Sequence, residues 1–290
     1  MACTPGTLKM NHENKPAARG SIARRALTDV ARARRWLAGK GGEIAVSEKG
    51  GVRMLHIGGD AIQSAMRLSA PDALELEYTR AMTAFLLFCP EPRDVLMVGL
   101  GAGSIPRFIR ATMPGVRVTV VEINPGVVVA ARQYFGLPPQ DRHLRVVVAD
   151  GAAYVPRVPA SAEVLLIDGF EDEAHAAELC TQDFYAAAHA ALREGGVLSA
   201  NFMADDPKRD KWRRRIEKSF GGRVLELAAE DDVNRIVLAL RGGPARIAWD
   251  DLKARSRELK RLYELPFDHF VSSLKRHNEH TARYLLIGAE

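Results

Sequence analysis

Apolar segments of four to eight residues alternate with helix-like segments along the middle of the chain, and this alternation restricts the fold more than any other feature. Buried strands are predicted at residues 95–98, 116–123, 144–149, 164–167 and 197–202, with helices between them. Such alternation produces a parallel sheet with helices on both faces. Two more strands, at 223–229 and 233–240, flank Asp231 and Asp232 and are predicted to pair as an antiparallel hairpin. A helix is predicted at residues 72–88, and Asn124 and Thr181 are predicted to cap later helices. The predicted fold class is therefore α/β, with a doubly wound, mostly parallel, seven-stranded sheet.

An antiparallel pair at the end of such a sheet is typical of the S-adenosylmethionine-dependent methyltransferase type of Rossmann-like fold, and not of dinucleotide dehydrogenases. A small N-terminal β-element is predicted to precede the sheet, because Ile44 and Val46 alternate with polar residues before a Gly50-Gly51 turn. The predicted units are a tail (1–41), the β-element (42–70), the nucleoside-binding sheet domain (71–243) and a C-terminal segment (244–290) with two helices packed on that domain.

The basic character of the chain belongs to its tail. The 290 residues include 41 Lys and Arg and 36 Asp and Glu, and residues 1–41 hold nine of the basic and two of the acidic ones. The remaining 32 basic and 34 acidic residues leave a net charge of −2. A nucleic-acid-binding domain is expected to carry its own basic face, so nucleic acid is not predicted as a partner. The tail is predicted to be a mobile, solvated arm, with contact to an anionic partner as the alternative.

Neither cysteines nor histidines indicate a metal or a disulfide. Cys3, Cys89 and Cys180 are far apart and form no C-x-x-C pair. His277 and His280 have helical spacing but no evident third ligand, so no metal is predicted. No apolar run approaches the roughly 18–20 residues that span a bilayer, and the N-terminus lacks the apolar part of a secretory signal. We therefore expect a cytoplasmic protein with no membrane partner.

A glycine-rich turn, Gly99-Leu-Gly101-Ala-Gly103, follows the first strand of the sheet and opens a helix. Backbone N–H groups and the positive end of the helix would face a ligand there, and the glycines would let it approach closely. Ser104 stands where the dinucleotide fingerprint G-x-G-x-x-G has its third glycine. The observed spacing is more usual in proteins that bind S-adenosylmethionine or a related compound. The structural alternative is that the glycines only form a tight turn between the strand and the helix.

Carboxylates follow three successive strands. Glu122 ends the second strand, Asp150 with Gly151 ends the third, and Asp168 ends the fourth. Ligands of open α/β sheets bind outside the carboxyl ends of the strands, so these acids are expected to converge on one crevice. Glu122 could accept both ribose hydroxyls, and Asp150 could accept the adenine amino group. Each acid alone could merely cap the turn after it, but the three together favour a nucleoside site.

Asp168 also opens an acidic segment, because five of the eleven residues 168–178 are Asp or Glu. Such a loop at the mouth of a cofactor crevice could attract a cationic substrate. A solvated surface loop is the alternative interpretation.

From about residue 50 to 242 the chain resembles the spermidine synthase family, the polyamine aminopropyltransferases. The matching segments are residues 60–64, 95–103, 120–124, 148–151, 167–168 and 179–185, followed by Gly195-Gly196. The family's catalytic loop reads D-[ST]-x-D-P-x-G-P. Asp168 matches its first Asp, and Glu171 takes the place of its second.

The resemblance implies an enzyme that moves an aminopropyl group from decarboxylated S-adenosylmethionine to a small-molecule amine such as putrescine, in polyamine biosynthesis. It implies that Gln63 and Glu122 hold the ribose and methionine portion of the co-substrate and that Asp150 holds the adenine. Asp168 would orient and deprotonate the amine, whose free pKa is about 10.4, with Glu171 as the second catalytic carboxylate. Family members are commonly dimers or larger, so a homodimer is one expectation.

The chain also departs from the family pattern. Ala102 stands where the family's glycine loop has an Asp that recognises the terminal amine of the co-substrate, and Glu77 stands where its Y-H-E motif has Tyr, with Tyr78 adjacent. Two alternatives therefore stay open. The first is a methyltransferase that uses S-adenosylmethionine on an unknown substrate, and the second is a nucleoside-binding protein without turnover.

Overall fold

The structure is a computed structural model that describes residues 43–169 and 178–288. The basic tail (1–41) and Glu171 lie outside the described residues, so what the sequence predicts for them stays a prediction. Within the described ranges, no helix is both long enough and apolar enough to cross a membrane.

A three-stranded antiparallel sheet, β1 (Ile44–Lys49), β2 (Val52–Ile57) and β3 (Ile62–Arg67), precedes the central sheet. Gly50 and Gly51 form the β1–β2 turn with φ of +59° and +75°, the left-handed values that two-residue hairpin turns require. This confirms the predicted β-element. Strand β3 was not predicted, because Ala65 and Met66 are consecutive buried residues and the alternation that marks a strand is therefore lost.

The central sheet has seven strands in the order β6-β5-β4-β7-β8-β10-β9. Their bounds are β4 (Asp94–Val98), β5 (Arg117–Glu122), β6 (Leu144–Val148), β7 (Ala162–Ile167), β8 (Leu192–Met203), β9 (Val224–Ala228) and β10 (Asn234–Leu240). Strands β4 to β8 pair in parallel, whereas β10 runs antiparallel to both β8 and β9. The predicted α/β class and the methyltransferase-type sheet are confirmed.

In the described part of the chain, these α-helices accompany the strands: α1 (Glu77–Met82), α2 (Ser104–Thr112), α3 (Pro125–Tyr134), α4 (Gly151–Tyr154), α5 (Gln182–Ala191) and α6 (Arg209–Ser219). Asn124 and Thr181 cap α3 and α5 as predicted, since their side chains accept from Gly126 N at 2.9 Å and Phe184 N at 3.1 Å. The helix predicted to begin at residue 72 begins at Glu77 instead, because Leu76 keeps an extended backbone.

The C-terminal segment contains β11 (Arg246–Ala248), α7 (Trp249–Tyr263), α8 (Phe267–His277) and β12 (Tyr284–Leu286). Both helices were predicted, and the short β11–β12 pair was not. Ser273 Oγ of α8 accepts from Ala228 N at 2.8 Å, and Asn278 Oδ1 accepts from Glu226 N at 2.7 Å. These side chains occupy backbone donors of the edge strand β9, which would otherwise be exposed to pairing with another chain.

Alternate residues of β4 enter opposite cores. Val95 and Met97 join a core that also contains Leu55 of the N-terminal sheet, whereas Leu96 and Val98 join the core under α5 and α6. A parallel strand buried on both faces reads as an unbroken apolar run, as this one does. The unit boundaries at residues 70 and 243 stay a prediction.

Candidate active site

Two crevices open at the carboxyl ends of the parallel strands, and Asp168 and Gly101 line both of them. The nucleoside crevice, as we call the first, has a volume of about 640 Å³ and lies between the glycine turn and the ends of β5, β6 and β7. The amine crevice has a volume of about 970 Å³ and lies between β3, α1 and the residues around the ends of β8 and β10. Asp168 therefore stands where ligands in the two crevices would meet.

Glu122 ends β5 and is almost completely buried, at 7% exposure. Its Oε2 accepts from Leu100 N at 2.8 Å, and its Oε1 accepts from Asn124 N at 2.7 Å. Burial raises the pKa of Glu122, and the backbone donors oppose that rise. The carboxylate is thus fixed between the glycine turn and the start of α3, on the wall of the nucleoside crevice.

Asp150 and Gly151 also line the nucleoside crevice. Asp150 Oδ1 accepts from Ala152 N at 2.8 Å and caps α4, so this residue both caps a helix and faces the crevice. A Cβ on Gly151 would lie 2.4 Å from Val98 Cγ1. Glycine at this position therefore allows α4 to start directly against β4.

The glycine turn is held closely by its neighbours. Gly99 has φ of +91°, and a Cβ there would lie 2.0 Å from the backbone oxygen of Asp168; at Gly101 it would lie 2.3 Å from Ser64 Oγ. Gly103 heads α2 beside Leu137 and lines neither crevice. The absence of side chains at Gly99 and Gly101 therefore lets the end of β7 and strand β3 pack directly against the turn, whether or not a ligand is bound there.

Asp168 follows β7, and its backbone N–H donates to Val98 O at 2.9 Å. Its Oδ1 accepts from Asn201 Nδ2 at 3.1 Å. Burial raises the pKa of Asp168, and hydrogen bonds from Asn201 and Tyr78 oppose that rise. A carboxylate with a raised pKa and side-chain donors, open to two crevices, is suited to accept a proton.

Gln63 lies on β3 and lines the amine crevice rather than the nucleoside crevice. The Tyr78 hydroxyl, which also reaches Asp168, donates to the backbone oxygen of Gln63 at 3.1 Å. The structure therefore places Gln63 on the amine crevice, whereas Glu122 and Asp150 line the nucleoside crevice.

Sequence reasoning missed two residues of this site, Asn201 and Asn234. Asn201 Oδ1 accepts from Asn234 Nδ2 at 2.9 Å, and both side chains line the amine crevice. A signal was present for Asn201, since it is a polar residue near the carboxyl end of a strand whose preceding residues, 197–200, are buried. Asn234 carried no comparable signal, because its position depends on how β10 pairs with β8.

Acidic side chains line both crevices. The described residues that line the two crevices include no Lys, Arg or His, and six of them carry a carboxylate: Glu77, Glu122, Asp150, Asp168, Glu178 and Asp231. Such a lining attracts cationic ligands and repels anionic ones.

Ala102, where the resemblance leads one to expect an Asp, is completely buried and lines neither crevice. Its backbone oxygen accepts from Arg107 at 3.1 Å. Within the described part of the chain, no group of three or more His, Cys, Asp or Glu could hold a metal ion.

Comparison with known proteins agrees with this geometry. The family model of the spermine/spermidine synthase domain matches residues 75–206. A polyamine aminopropyltransferase of Chromobacterium violaceum is 39% identical over 245 residues, which are 84% of this chain and 94% of that protein. The chain belongs to the spermine/spermidine synthase family. The polyamine aminopropyltransferase of Neisseria meningitidis serogroup A is 36% identical over 83% of this chain and 92% of its own length.

The solved structures show the same fold. A spermidine synthase in complex with the transition state analogue AdoDATO superposes with a TM-score of 0.64 at 23% identity, covering 81% of this chain and 82% of that chain. The agreement shows that this chain shares the fold of that protein.

Proposed function

We propose that the protein is a polyamine aminopropyltransferase that moves the aminopropyl group of decarboxylated S-adenosylmethionine to a small amine such as putrescine. The observation that carries the proposal is the lining of the joined crevices, with six carboxylates and no basic residue among the described residues. Both co-substrates are cationic, one as a sulfonium with an ammonium group and the other as an ammonium. The names of its relatives support the same reaction.

The nucleoside part of the co-substrate would bind in the nucleoside crevice, with its ribose on Glu122 and its adenine near Asp150. The amine would bind in the amine crevice, with its nitrogen at Asp168. Gln63 and Tyr78, which line the amine crevice, would border the aminopropyl chain. Binding both partners in line removes much of the entropic cost of the encounter.

In the reaction the amine nitrogen forms a bond to the aminopropyl carbon next to sulfur. The C–S bond breaks, its electron pair goes to the sulfur, and neutral 5′-methylthioadenosine leaves. Asp168 takes the proton that the amine must lose. Glu171, the second catalytic carboxylate that the resemblance implies, is proposed to bind the charged amine.

The acidic lining also bears on the methyltransferase alternative. Intact S-adenosylmethionine carries a carboxylate, which would enter crevices lined by Glu122, Asp168 and Glu178, where no described lining residue offers a cationic side chain to pair with it. A buried unpaired charge is costly. The lining therefore favours the decarboxylated form, although Ala102 supplies no acid for its terminal amine.

The test is to incubate the purified chain with putrescine and either decarboxylated or intact S-adenosylmethionine, and to quantify products by mass spectrometry. We expect spermidine and 5′-methylthioadenosine in equal amounts from the decarboxylated form. Methylated product from the intact form would favour the methyltransferase, and binding of 5′-methylthioadenosine without turnover of any amine would favour the binding protein.

A further inference from the structure

Two side-chain amides form a chain behind Asp168. Asn201, near the end of β8, donates through Nδ2 to Asp168 Oδ1 at 3.1 Å. Asn234, the first residue of β10, is 7% exposed and donates through Nδ2 to Asn201 Oδ1 at 2.9 Å. The same nitrogen of Asn234 lies 3.7 Å from Met203 Sδ. These side chains form a hydrogen-bonded series, the amide chain, that runs from a methionine sulfur through two amides to the carboxylate.

The amide chain has a direction because each side-chain amide has one donor end, its amino group, and one acceptor end, its oxygen. The methionine sulfur can only accept, so Asn234 keeps its amino group inward. Asn201 must then turn its oxygen to Asn234 and its amino group to Asp168. If both amides turned over, the Asn201 oxygen would face Asp168, an arrangement that suits only the protonated acid. The observed direction therefore stabilises the ionised carboxylate.

We propose that Asn201 and Asn234 are positioning residues that keep Asp168 ionised and oriented toward the amine, Asn201 directly and Asn234 through Asn201. The inference rests on the proposed function, since it concerns the same carboxylate and the same reaction. An amine can pass its proton to Asp168 only while that carboxylate is ionised. The amide chain therefore extends the activity of the enzyme toward lower pH.

Other groups that can titrate face Asp168 from the elements around it. The Tyr78 hydroxyl, whose single hydrogen is shared between Gln63 O and Asp168, supports the ionised form as Asn201 does, whereas burial opposes that form. The other carboxylates on the two crevices would act in the same sense as burial through their like charge, and these are Glu77, which pairs with Arg80 at 3.6 Å, Glu122, Asp150, Glu178 and Asp231. All of these groups are retained in the variants below.

The first test measures kcat/KM for putrescine, with decarboxylated S-adenosylmethionine in excess, as a function of pH. Asn201→Leu removes the donor to Asp168. We expect the acid limb of the profile, the pH range in which kcat/KM falls as pH decreases, to move to higher pH by about one to two units, because a hydrogen bond to a charged group has an energy of that size. Asn234→Leu leaves the direct donor but frees its orientation, so a smaller upward move is expected. Thermal melting and binding of 5′-methylthioadenosine check the fold and the nucleoside crevice.

Ser199→Ala is a matched control. Ser199 lies two residues before Asn201 on the same face of β8, is fully buried, lines neither crevice, and donates through Oγ to Met82 O at 3.0 Å. We expect this variant to melt at a lower temperature with an unmoved acid limb. An equal move in Ser199→Ala, or no move in Asn201→Leu, overturns the proposal.

A second test does not require turnover. Carbon-13 NMR of aspartate-labelled protein, with the Asp168 signal identified from its loss in Asp168→Asn, follows the titration of Asp168 directly. The pKa of Asp168 should rise in Asn201→Leu, or in Asn201→Ser if the leucine variant does not fold, and an unmoved pKa overturns the amide chain. Absence of aminopropyl transfer in the wild-type protein would overturn the proposed function instead, and an NMR shift would still support the chain.

Discussion

At the residue scale, two carboxylates of the nucleoside crevice have different neighbours and hence different uses. Glu122 accepts from two backbone N–H groups, which cannot turn away. Asp168 accepts from the side chains of Asn201 and Tyr78 and is open to both crevices. The first carboxylate is therefore suited to constant binding and the second to exchange of a proton.

Glu122→Gln should weaken binding of 5′-methylthioadenosine at least about tenfold. The ribose would lose charge-assisted hydrogen bonds worth roughly 1.5–3 kcal/mol each, and the amide would turn a donor toward a backbone N–H. Calorimetry on the folded variant measures the affinity. Glu48→Gln, on an exposed side chain paired with Arg53, is the control and should bind as the wild type does. Unchanged affinity in Glu122→Gln would remove the assignment of Glu122 to the ribose.

Asp168→Asn should lower kcat by on the order of 10²–10⁴-fold, the usual contribution of a general base. Asn keeps the size of the side chain and one acceptor, so the affinity for 5′-methylthioadenosine should change little. In the wild type, kcat/KM should fall as pH decreases through the raised pKa of Asp168, because only the ionised form accepts a proton. Steady-state kinetics across pH test both statements, and wild-type turnover in the variant would make Asp168 a structural residue.

At the scale of elements, the glycine turn joins β4, β7 and β3. The backbone oxygen of Asp168 and the hydroxyl of Ser64 lie where side chains of Gly99 and Gly101 would be. The position of the proposed base therefore depends on the close contact between this turn and the end of β7. A change in the turn should affect both binding and catalysis.

Gly99→Ala tests this contact. The methyl group would lie 2.0 Å from the backbone oxygen of Asp168 at a φ of +91°, and such strain costs roughly 1–3 kcal/mol from the dihedral angle alone. We expect a lower Tm, by at least about 2–4 °C, and at least a tenfold loss of kcat/KM. Gly115→Ala is the control, because nothing lies within 4 Å of its added Cβ. Equal behaviour of the two variants would contradict the role given to the turn.

At the scale of the whole molecule, charge is separated along the chain. The tail is basic, the rest carries a net charge of −2, and six carboxylates but no basic side chain occur among the described residues that line the crevices. Clefts lined by one sign of charge raise the local concentration of ligands of the other sign. The crevices should therefore draw a cationic amine from solution before any specific contact forms.

Salt should weaken this attraction. The screening length falls from about 10 Å at 0.1 M to about 3 Å at 1 M ionic strength, so the KM for putrescine should rise several-fold between these conditions. Neutral 5′-methylthioadenosine serves as the internal control, and its affinity should change much less. A KM that does not depend on salt would contradict electrostatic attraction as the source of amine binding.

The sequence by itself determined the kind of sheet, the helix caps at Asn124 and Thr181, and the strand ends that carry Glu122, Asp150 and Asp168. These features depend on local periodicity and on a connectivity rule that places successive strand ends at one edge. The ligand roles of these acids remain predictions that the variants above test.

Only the tertiary structure decided which groups surround Asp168. Asn201 and Asn234 are 33 residues apart in the chain, and they meet because the antiparallel register places Asn234 opposite Met203. Tyr78 reaches the same carboxylate from a helix outside the central sheet, and Gln63 lines the same crevice from a strand outside it. Register and the packing of separate elements arise from the whole set of buried contacts, which no local pattern of residues encodes.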